Sequence, residues 1–309
     1  MAKDFIVAIE LGSSKMTGIA GRKNPDGSIS ILAVAKEDSA SYIRKGVAYN
    51  IERTAQGLSN IVSKLKNTLK TEIDQVYVGI GGQSIHSVKN SIVKELPLDC
   101  IVSQDMVNEL MDTNRSMEYK DCEILDAITQ EYNVDGHYED DPVGIQARHL
   151  EGNFLNVLWR RSFYRNLNKS LDNSGIKVAE MYLAPLTMAD CVLTDAEKRA
   201  GCVLVDLGAD TTTVSVYYRN KLRHIAVLPL GGSNVTKDLE SLQIDEINAE
   251  AMKLKHASAL TNEKDIDADA TLPIGDGRTI PSRMFIQVVE ARMLEIVENC
   301  LLYTSDAAD

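Results

Sequence analysis

The chain has 309 residues, of which 44% are hydrophobic and 25% are charged; this is ordinary globular usage and excludes a disordered or collagen-like chain. At about 150 residues per domain, the length predicts two domains. The 45 acidic and 33 basic residues give a net charge of −12, so nucleic acid is not an expected partner. No apolar run approaches the roughly 20 residues that a membrane-spanning helix needs.

Hydrophobic periodicity predicts a mixture of strands and amphipathic helices. The helix predicted at 52–70, for example, places Leu58, Ile61, Leu65 and Leu69 on one face. The main predicted elements in chain order are the strand Ile29–Lys36, the helix Glu52–Lys70, the strand Val76–Gly81, the helix Gln104–Met117, the strand Phe154–Trp159, the helix Met181–Leu193, the strand Leu222–Leu230 and the helix Met284–Leu302.

An internal repeat is the most informative feature. Residues 8–20 align with residues 204–216 at a constant offset of 196. Each copy is an apolar strand that ends in an acidic residue, Glu10 or Asp206, followed by a glycine turn of small polar residues and a second β-rich run. A third strand and a helix follow in both copies, so the pattern predicts one β-β-β-α unit used twice.

Two such units that face each other would present two tight turns to one cleft. Small residues in these turns let backbone N–H groups approach an anion closely, so the turns are suited to adjacent phosphates of a nucleotide. Glu10 and Asp206 would hold Mg²⁺ through its water shell, and Lys15 would add a positive charge near the terminal phosphates. The sequence contains no Walker A string, so the predicted site is not a P-loop.

The two turns resemble the phosphate motifs of the actin, Hsp70 and sugar-kinase superfamily. Several longer strings stand in order along the chain: GVAYNIERTAQGLSNIV, GGQSIHSVKN, ITQEYNVDG, PVGIQARHLEGNFLNVLWRR, LPLGGSNVTKDL and AEAMKLKHASA. They resemble the bacterial cell-division family FtsA, and the resemblance runs from about Asp4 to about Asn299. The resemblance implies an α/β fold of the actin-like (ribonuclease H-like) class, with a duplicated β-β-β-α-β-α core, a nucleotide cleft and the FtsA-type inserted subdomain.

The same resemblance implies a division of the chain into parts. These are the first actin-like domain core at 1–83 and 163–198, the inserted subdomain at 84–162, the start of the second core at 199–237, the upper part of the second domain at 238–283, and a helix with a truncated or foreign tail at 284–309. The inserted subdomain is expected to contact other protomers and later division proteins, and the upper part of the second domain is expected to contact the tubulin-like protein FtsZ.

The resemblance also implies which residues bind ATP. These are Gly12, Ser13, Ser14 and Lys15 in the first turn, Asp206, Gly208, Asp210, Thr211 and Thr212 in the second, the paired glycines Gly231 and Gly232, and Glu250 with Lys253 for the ribose and adenine. Taken singly, each has a simpler interpretation: a Glu–Lys pair at i and i+3 is usually a solvated helix face, and paired glycines are usually a plain turn. Their joint position in matching motifs favours binding.

Two departures from the superfamily pattern concern the second turn and hydrolysis. The second turn carries Ala209 and Asp210 where the superfamily usually has glycines, and a carboxylate beside phosphates repels them unless Mg²⁺ intervenes. The helix where actin orients the attacking water begins near Leu183 and Ala184, which cannot act as acid or base. No catalytic residue is therefore predicted, and the protein is expected to be at most a weak ATPase.

The implied function is an ATP-binding scaffold that polymerises, tethers FtsZ to the inner membrane at the division site and recruits later division proteins. Its expected place is the cytoplasm, on the inner face of that membrane, attached only through a C-terminal amphipathic helix that this chain lacks. The final residues, LLYTSDAAD, match no part of the family pattern. The alternative is a sugar- or acetate-kinase-type phosphotransferase, which needs a general-base Asp and an acceptor pocket for which the sequence shows no motif.

Overall fold

The computed structural model describes residues 5–262, 270–275 and 277–305. Strands and helices alternate along these ranges. In chain order they are β1 (Ile6–Leu11), β2 (Lys15–Lys23), β3 (Ile29–Asp38), β4 (Ile43–Arg44), β5 (Val47–Ala48), α1 (Ile51–Leu69), β6 (Val76–Ile80), β7 (His86–Glu95), α2 (Gln104–Arg115), β8 (Cys122–Val134), β9 (His137–Glu139), β10 (His149–Arg160), α3 (Arg161–Ser174), β11 (Val178–Leu183), α4 (Ala184–Val192), α5 (Asp195–Ala200), β12 (Cys202–Leu207), β13 (Thr212–Tyr218), β14 (Lys221–Leu228), α6 (Gly232–Glu240), α7 (Glu246–His256), β15 (Thr271–Gly275), β16 (Arg278–Pro281) and α8 (Ser282–Ser305).

The first sheet has five strands in the order β11-β6-β1-β2-β3. β1 pairs antiparallel with β2 and parallel with β6, and its residues alternate between buried and exposed. The helix α1 covers the buried face with Leu58, Ile61 and Leu65, each fully buried. Asn50 caps this helix by accepting a hydrogen bond from the Arg53 backbone N–H, which satisfies one of the free donors of the first turn.

The second unit repeats the first three strands. β12, β13 and β14 form an antiparallel meander that leads into α6, as β1, β2 and β3 lead into α1. The predicted duplication of the β-β-β-α unit is therefore confirmed. Among the described residues β12 pairs only with β13, and its side chains Val203, Val205 and Leu207 are 46%, 42% and 55% exposed.

The segment between β6 and α3 forms a compact antiparallel subdomain. Its strands β7, β10, β8 and β9 pack against α2 around an apolar cluster that includes Leu110, Leu150 and Phe154. β7 also meets β14 of the second unit through the pair His86–Ala226. These strands therefore continue the second sheet, which has seven strands in the order β12-β13-β14-β7-β10-β8-β9.

The helix predicted at Met181–Leu193 begins later than expected. Residues 178–183 form β11, which lies parallel to β6 and places Met181 opposite Val78. The helix α4 starts at Ala184, with Pro185 in its first turn. A proline lacks a backbone N–H and fits only the first turn of a helix, so it marks the start, whereas pairing with β6 keeps the preceding residues extended.

The C-terminal part of the described chain also differs from expectation. The sequence predicts a loop from Asn262 to Arg278, but the hairpin β15–β16 occupies the end of this stretch and extends beyond it to Pro281; residues 263–269 and 276 fall outside the described residues. The helix α8 packs its first half against α6 and α7, and Ile296 and Cys300 against β13 and β14. None of the helices within the described ranges is both long and apolar enough to span a bilayer.

A glycine pair tests the packing of α1 on the first sheet. A Cβ added at Gly18 would overlap Ile61 Cγ2 and lie 3.1 Å from Leu65 Cδ1, whereas a Cβ at Gly81 would meet nothing within 4 Å. We expect Gly18→Ala to lower the free energy of unfolding by about 1–3 kcal/mol through overpacking. Both changes restrict the unfolded chain equally, so Gly81→Ala is the matched control. It should change the free energy of unfolding by no more than about 1 kcal/mol. Urea denaturation of both variants measures the difference; equal stabilities would contradict the described packing of α1.

Candidate functional site

Each of the two repeated turns is closed by a glycine that approaches its own backbone. A Cβ at Gly12 would lie 2.6 Å from the carbonyl oxygen of Lys15, and a Cβ at Gly208 would lie 2.9 Å from that of Thr211. The two contacts are equivalent under the repeat, because both pairs are related by the same offset of 196 residues. Neither position has room for a larger residue, so the tight turns predicted from the sequence are present in both units.

The two turns face each other across a cleft. The hairpin between β4 and β5 lies between them: the Gly46 backbone N–H donates to Ser13 Oγ at 2.8 Å, and the Lys45 N–H donates to Asp210 Oδ2 at 3.1 Å. Since Lys45 and Gly46 are adjacent, the first and second turns must both lie against the same loop. The structure therefore brings together Gly12–Lys15 and Gly208–Thr211, as the repeat predicted.

Two carboxylates lie beside these turns. Partial desolvation, reinforced by the negative charge of Asp206 and opposed by Lys15, raises the pKa of Glu10 above its usual range. Partial desolvation also raises the pKa of Asp206. Glu10 retains access to solvent, since it lies at the open end of β1 and not in the core. The effect of the Asp206 and Lys15 charges on the pKa of Glu10 places the three side chains in one neighbourhood.

The paired glycines lie directly behind the second turn. The Gly232 and Ser233 backbone N–H groups donate to the carbonyl oxygens of Gly208 and Ala209, at 2.9 and 2.7 Å. A Cβ at Gly231 would lie 2.5 Å from the Ala209 oxygen, so only glycine fits there. Because α6 starts at Gly232, the positive end of its dipole adjoins the second turn, where it favours negative charge.

The predicted pair Glu250 and Lys253 lies beside the same glycines. Lys253 Nζ donates to Glu250 Oε2 at 2.6 Å, to Thr236 Oγ1 at 2.9 Å and to the Gly232 carbonyl oxygen at 3.1 Å. Burial alone would raise the pKa of Glu250, but the hydrogen bonds from Lys253 and Thr236 and the lysine charge lower it overall. This pair therefore joins α7 to α6 next to the second turn and does not form an isolated solvated face.

Some residues behave differently from the sequence-based expectation. Thr212 was predicted to bind a ligand, but its side chain is fully buried and donates to the Leu230 carbonyl oxygen at 2.9 Å, so it supports β13 and is not open to the cleft. Conversely, sequence reasoning missed Ser39, which donates to the Gly12 carbonyl oxygen at 2.6 Å, as well as Thr236 and the Lys45–Gly46 loop. For that loop the signal was the Lys-Gly dipeptide immediately before β5, which is typical of a turn.

Solved structures show which fold class this is. The structure of MreB5 of Spiroplasma citri bound to ADP aligns over 98% of this chain and 79% of that chain, with a TM-score of 0.55 and 10% identity. A chain of the PilM–PilN type IV pilus biogenesis complex aligns over 81% of this chain and 69% of its own, with a TM-score of 0.55 and 14% identity. With the duplicated unit and its cleft, these similarities show that the protein has the actin-like fold.

Sequence comparisons narrow the class to one family. The family model described as "Cell division protein FtsA" matches residues 203–294, and that described as "SHS2 domain inserted in FTSA" matches residues 82–158. FtsA of Porphyromonas gingivalis is 33% identical over 300 residues, and FtsA of Neisseria meningitidis serogroup B is 28% identical over 298. The chain belongs to the FtsA family of cell-division proteins. It covers 62% of the length of the first of these relatives and 72% of the second.

The two glutamates whose pKa values shift in opposite directions predict opposite pH dependences. Because the folded protein holds a proton on Glu10 more tightly than the unfolded chain does, wild-type stability is lost as pH rises past the ordinary value of 4.5. Glu10→Gln removes this loss, so its free energy of unfolding relative to wild type should increase from pH 4 to pH 7. Glu197, whose pKa is lowered by hydrogen bonds from Thr194, should give the reverse trend as Glu197→Gln.

Urea denaturation of the nucleotide-free protein in EDTA, at a series of pH values, measures both trends. A flat difference for Glu10→Gln would mean that Glu10 titrates as an ordinary exposed carboxylate and does not lie against Asp206 in a shared cleft.

Proposed function

We propose that the cleft binds ATP with Mg²⁺ and that the protein is an actin-like scaffold of bacterial cell division. The observation that carries this proposal is the pair of equivalent glycine turns that meet at one loop, with Glu10 and Asp206 in one neighbourhood beside them. Such turns offer backbone N–H groups to phosphates from two sides. The MreB5 neighbour was solved with ADP and with AMPPNP, which shows that a related fold binds adenine nucleotides.

The donor set of the cleft suits Mg²⁺. Mg²⁺ prefers oxygen ligands, keeps several waters and is usually held by one or two carboxylates together with phosphates. Glu10 and Asp206 supply two carboxylates whose ionised forms are disfavoured in the absence of a cation, as their raised pKa values indicate. When bound, the ion would neutralise these carboxylates and the phosphates. Glu10 and Asp206 are the residues that would hold it, through water.

Other residues of the cleft have separate roles in this proposal. Lys15 supplies a positive charge to the terminal phosphates, beside the Gly12 turn. Gly231 and Gly232 allow the sugar and phosphates to approach the backbone, and Glu250 with Lys253 contacts the ribose and adenine. No acid or base stands at the start of α4, where Leu183 and Ala184 lie, so nucleotide binding rather than turnover is the proposed working step.

The finer cellular role follows from the family. We infer that the protein polymerises, tethers the FtsZ ring to the cytoplasmic face of the inner membrane at the division site and recruits later division proteins through residues 84–162. The inserted subdomain supports this last part, because it has its own apolar core and a separate matching family model. Membrane attachment is proposed to depend on a C-terminal amphipathic helix.

The proposed FtsZ-binding surface is the upper part of the second domain, at 238–283. The sequence predicts that charge changes from Asp238 onward leave the fold intact and weaken partner binding. The structure corrects this for Asp238, whose carboxylate accepts hydrogen bonds from Arg292 Nε and an Nη atom at 2.5 and 3.0 Å, tying α6 to α8. Exposed charges nearby, such as Lys237, Glu240 and Arg278, are better probes of a partner surface.

The combined change Lys15→Ala and Asp206→Ala tests the nucleotide site. Loss of one cation and one carboxylate, each in a charge-assisted contact worth about 1.5–3 kcal/mol, should weaken Mg·ATP binding at least about a hundredfold in titration calorimetry. Lys89→Ala with Asp112→Ala removes the same two charge types from exposed positions in the inserted subdomain and should leave the affinity unchanged. Wild-type affinity in the first double variant would overturn the site assignment.

Reversal of the exposed charges at Lys237, Glu240 and Arg278 tests the partner surface. We expect the triple variant to weaken association with FtsZ polymers about tenfold or more in co-sedimentation, because rim charges steer and register partners. Its stability should stay within about 0.5 kcal/mol per substitution, since these side chains are exposed.

The matched control for this surface reverses three exposed charges of the inserted subdomain, Lys89, Asp112 and Lys120. It should leave FtsZ association intact. Loss of association in the control, or its survival in the triple variant, would move the FtsZ-binding surface away from the second domain.

A further inference from the structure

One hydrogen bond joins the two walls of the cleft through an anionic side chain. The Asp210 carboxylate of the second turn accepts the backbone N–H of Lys45 in the first domain, at 3.1 Å across 165 positions of sequence. The next amide, that of Gly46, donates to Ser13 Oγ of the first turn. Two adjacent amides of one loop thus donate hydrogen bonds to a neutral hydroxyl on one wall and to a carboxylate on the other.

The repeat shows that this carboxylate is an asymmetric addition. At the offset of 196 residues, the position equivalent to Asp210 is Ser14, which is exposed and uncharged. The neighbouring backbone contacts of the two turns are otherwise equivalent, at Gly12 and at Gly208. The turn therefore does not need a carboxylate for its own geometry, and the contact with Lys45 is what the side chain of Asp210 contributes.

The loop that holds the carboxylate is fixed by the first domain. Lys45 and Gly46 both have positive φ, at 51° and 72°, so their amides have set directions. A side chain on Gly46 would overlap Gly82, and the Gln83 N–H donates to the Lys45 carbonyl oxygen at 2.8 Å. Consecutive amides held in this way are suited to an anion. Because the loop is anchored and the side chain is not buried, the carboxylate is the group free to leave.

We propose that Asp210 is an internal competitor for the terminal phosphate of the nucleotide. In the nucleotide-free protein its carboxylate occupies the Lys45 amide and closes the second turn onto the first domain; a terminal phosphate that enters the cleft displaces it. The contact lowers affinity for nucleotides with terminal phosphates and couples their entry to release of the second turn from the Lys45 loop. This inference rests on the proposed ATP site and adds to it a regulating contact.

Two substitutions and a matched control test the competitor. Asp210→Asn keeps the size and an acceptor oxygen but removes the charge, and Asp210→Gly removes the side chain. Asp141→Asn alters another carboxylate that accepts a backbone N–H at 3.1 Å, from Val143, in the inserted subdomain. The measurements are titration calorimetry with Mg·ATP and with AMP, and hydrogen exchange of the segment 43–48 without nucleotide.

We expect both Asp210 variants to bind Mg·ATP about tenfold more tightly than wild type, with AMP affinity unchanged, because one charge-assisted contact no longer competes. Exchange at the Lys45 amide should accelerate most in nucleotide-free Asp210→Gly, which has no side-chain acceptor. Asp141→Asn should change neither the nucleotide affinity nor the exchange of the Lys45 amide.

The outcomes separate this inference from the proposed function. Normal ATP binding by wild type together with unchanged affinity and exchange in both Asp210 variants would overturn the competitor and leave the ATP site standing. Weaker ATP binding by the Asp210 variants would also overturn it, because Asp210 would then be a ligand, acting through Mg²⁺. Absence of ATP binding by wild type and all variants would overturn the proposed site and the competitor together.

Discussion

A close backbone approach at two glycines sets the geometry of the cleft. At Gly12 and at Gly208 the chain turns so tightly that the space for a side chain is filled by the carbonyl oxygen three residues later. Glu10 and Asp206, each two residues before its glycine, lie in one neighbourhood. The β4–β5 hairpin contacts both turns, at Ser13 and Asp210, and the start of α6 contacts the second turn at Gly208 and Ala209.

The hairpin connects the cleft to the inserted subdomain. The Lys45 carbonyl oxygen accepts the N–H of Gln83, and the Gln83 carbonyl oxygen accepts Trp159 Nε1 at 3.1 Å. Trp159 is almost fully buried near the end of β10, just before α3. A short path of direct contacts thus runs from the second turn through Lys45 and Gln83 to the root of the subdomain, so the loop at the cleft and the subdomain are held in one register.

The local sequence pattern was enough to predict the duplicated unit, because the alternation of the strand, its acidic end and the glycine turn all occur within about a dozen consecutive residues. Contacts between segments that are distant in sequence could not be predicted from this local pattern. The hydrogen bond between Lys45 and Asp210, and the ion pair between Asp238 and Arg292, depend on how sheets and helices meet. The late start of α4 has the same cause, since pairing of β11 with β6 decides which residues before Pro185 stay extended.

The second wall of the cleft is braced from behind by two polar contacts. Lys253 on α7 donates hydrogen bonds to the Gly232 carbonyl oxygen at the start of α6, to Thr236 and to Glu250. Arg292 on α8 donates to Asp238 near the other end of α6. With both ends of α6 tied to neighbouring helices, its N-terminus cannot shift away from Gly208 unless α7 and α8 move as well. A shift of α6 therefore carries much of the second unit with it, and it acts against both the Asp210–Lys45 contact at the cleft and the β14–β7 pairing with the inserted subdomain.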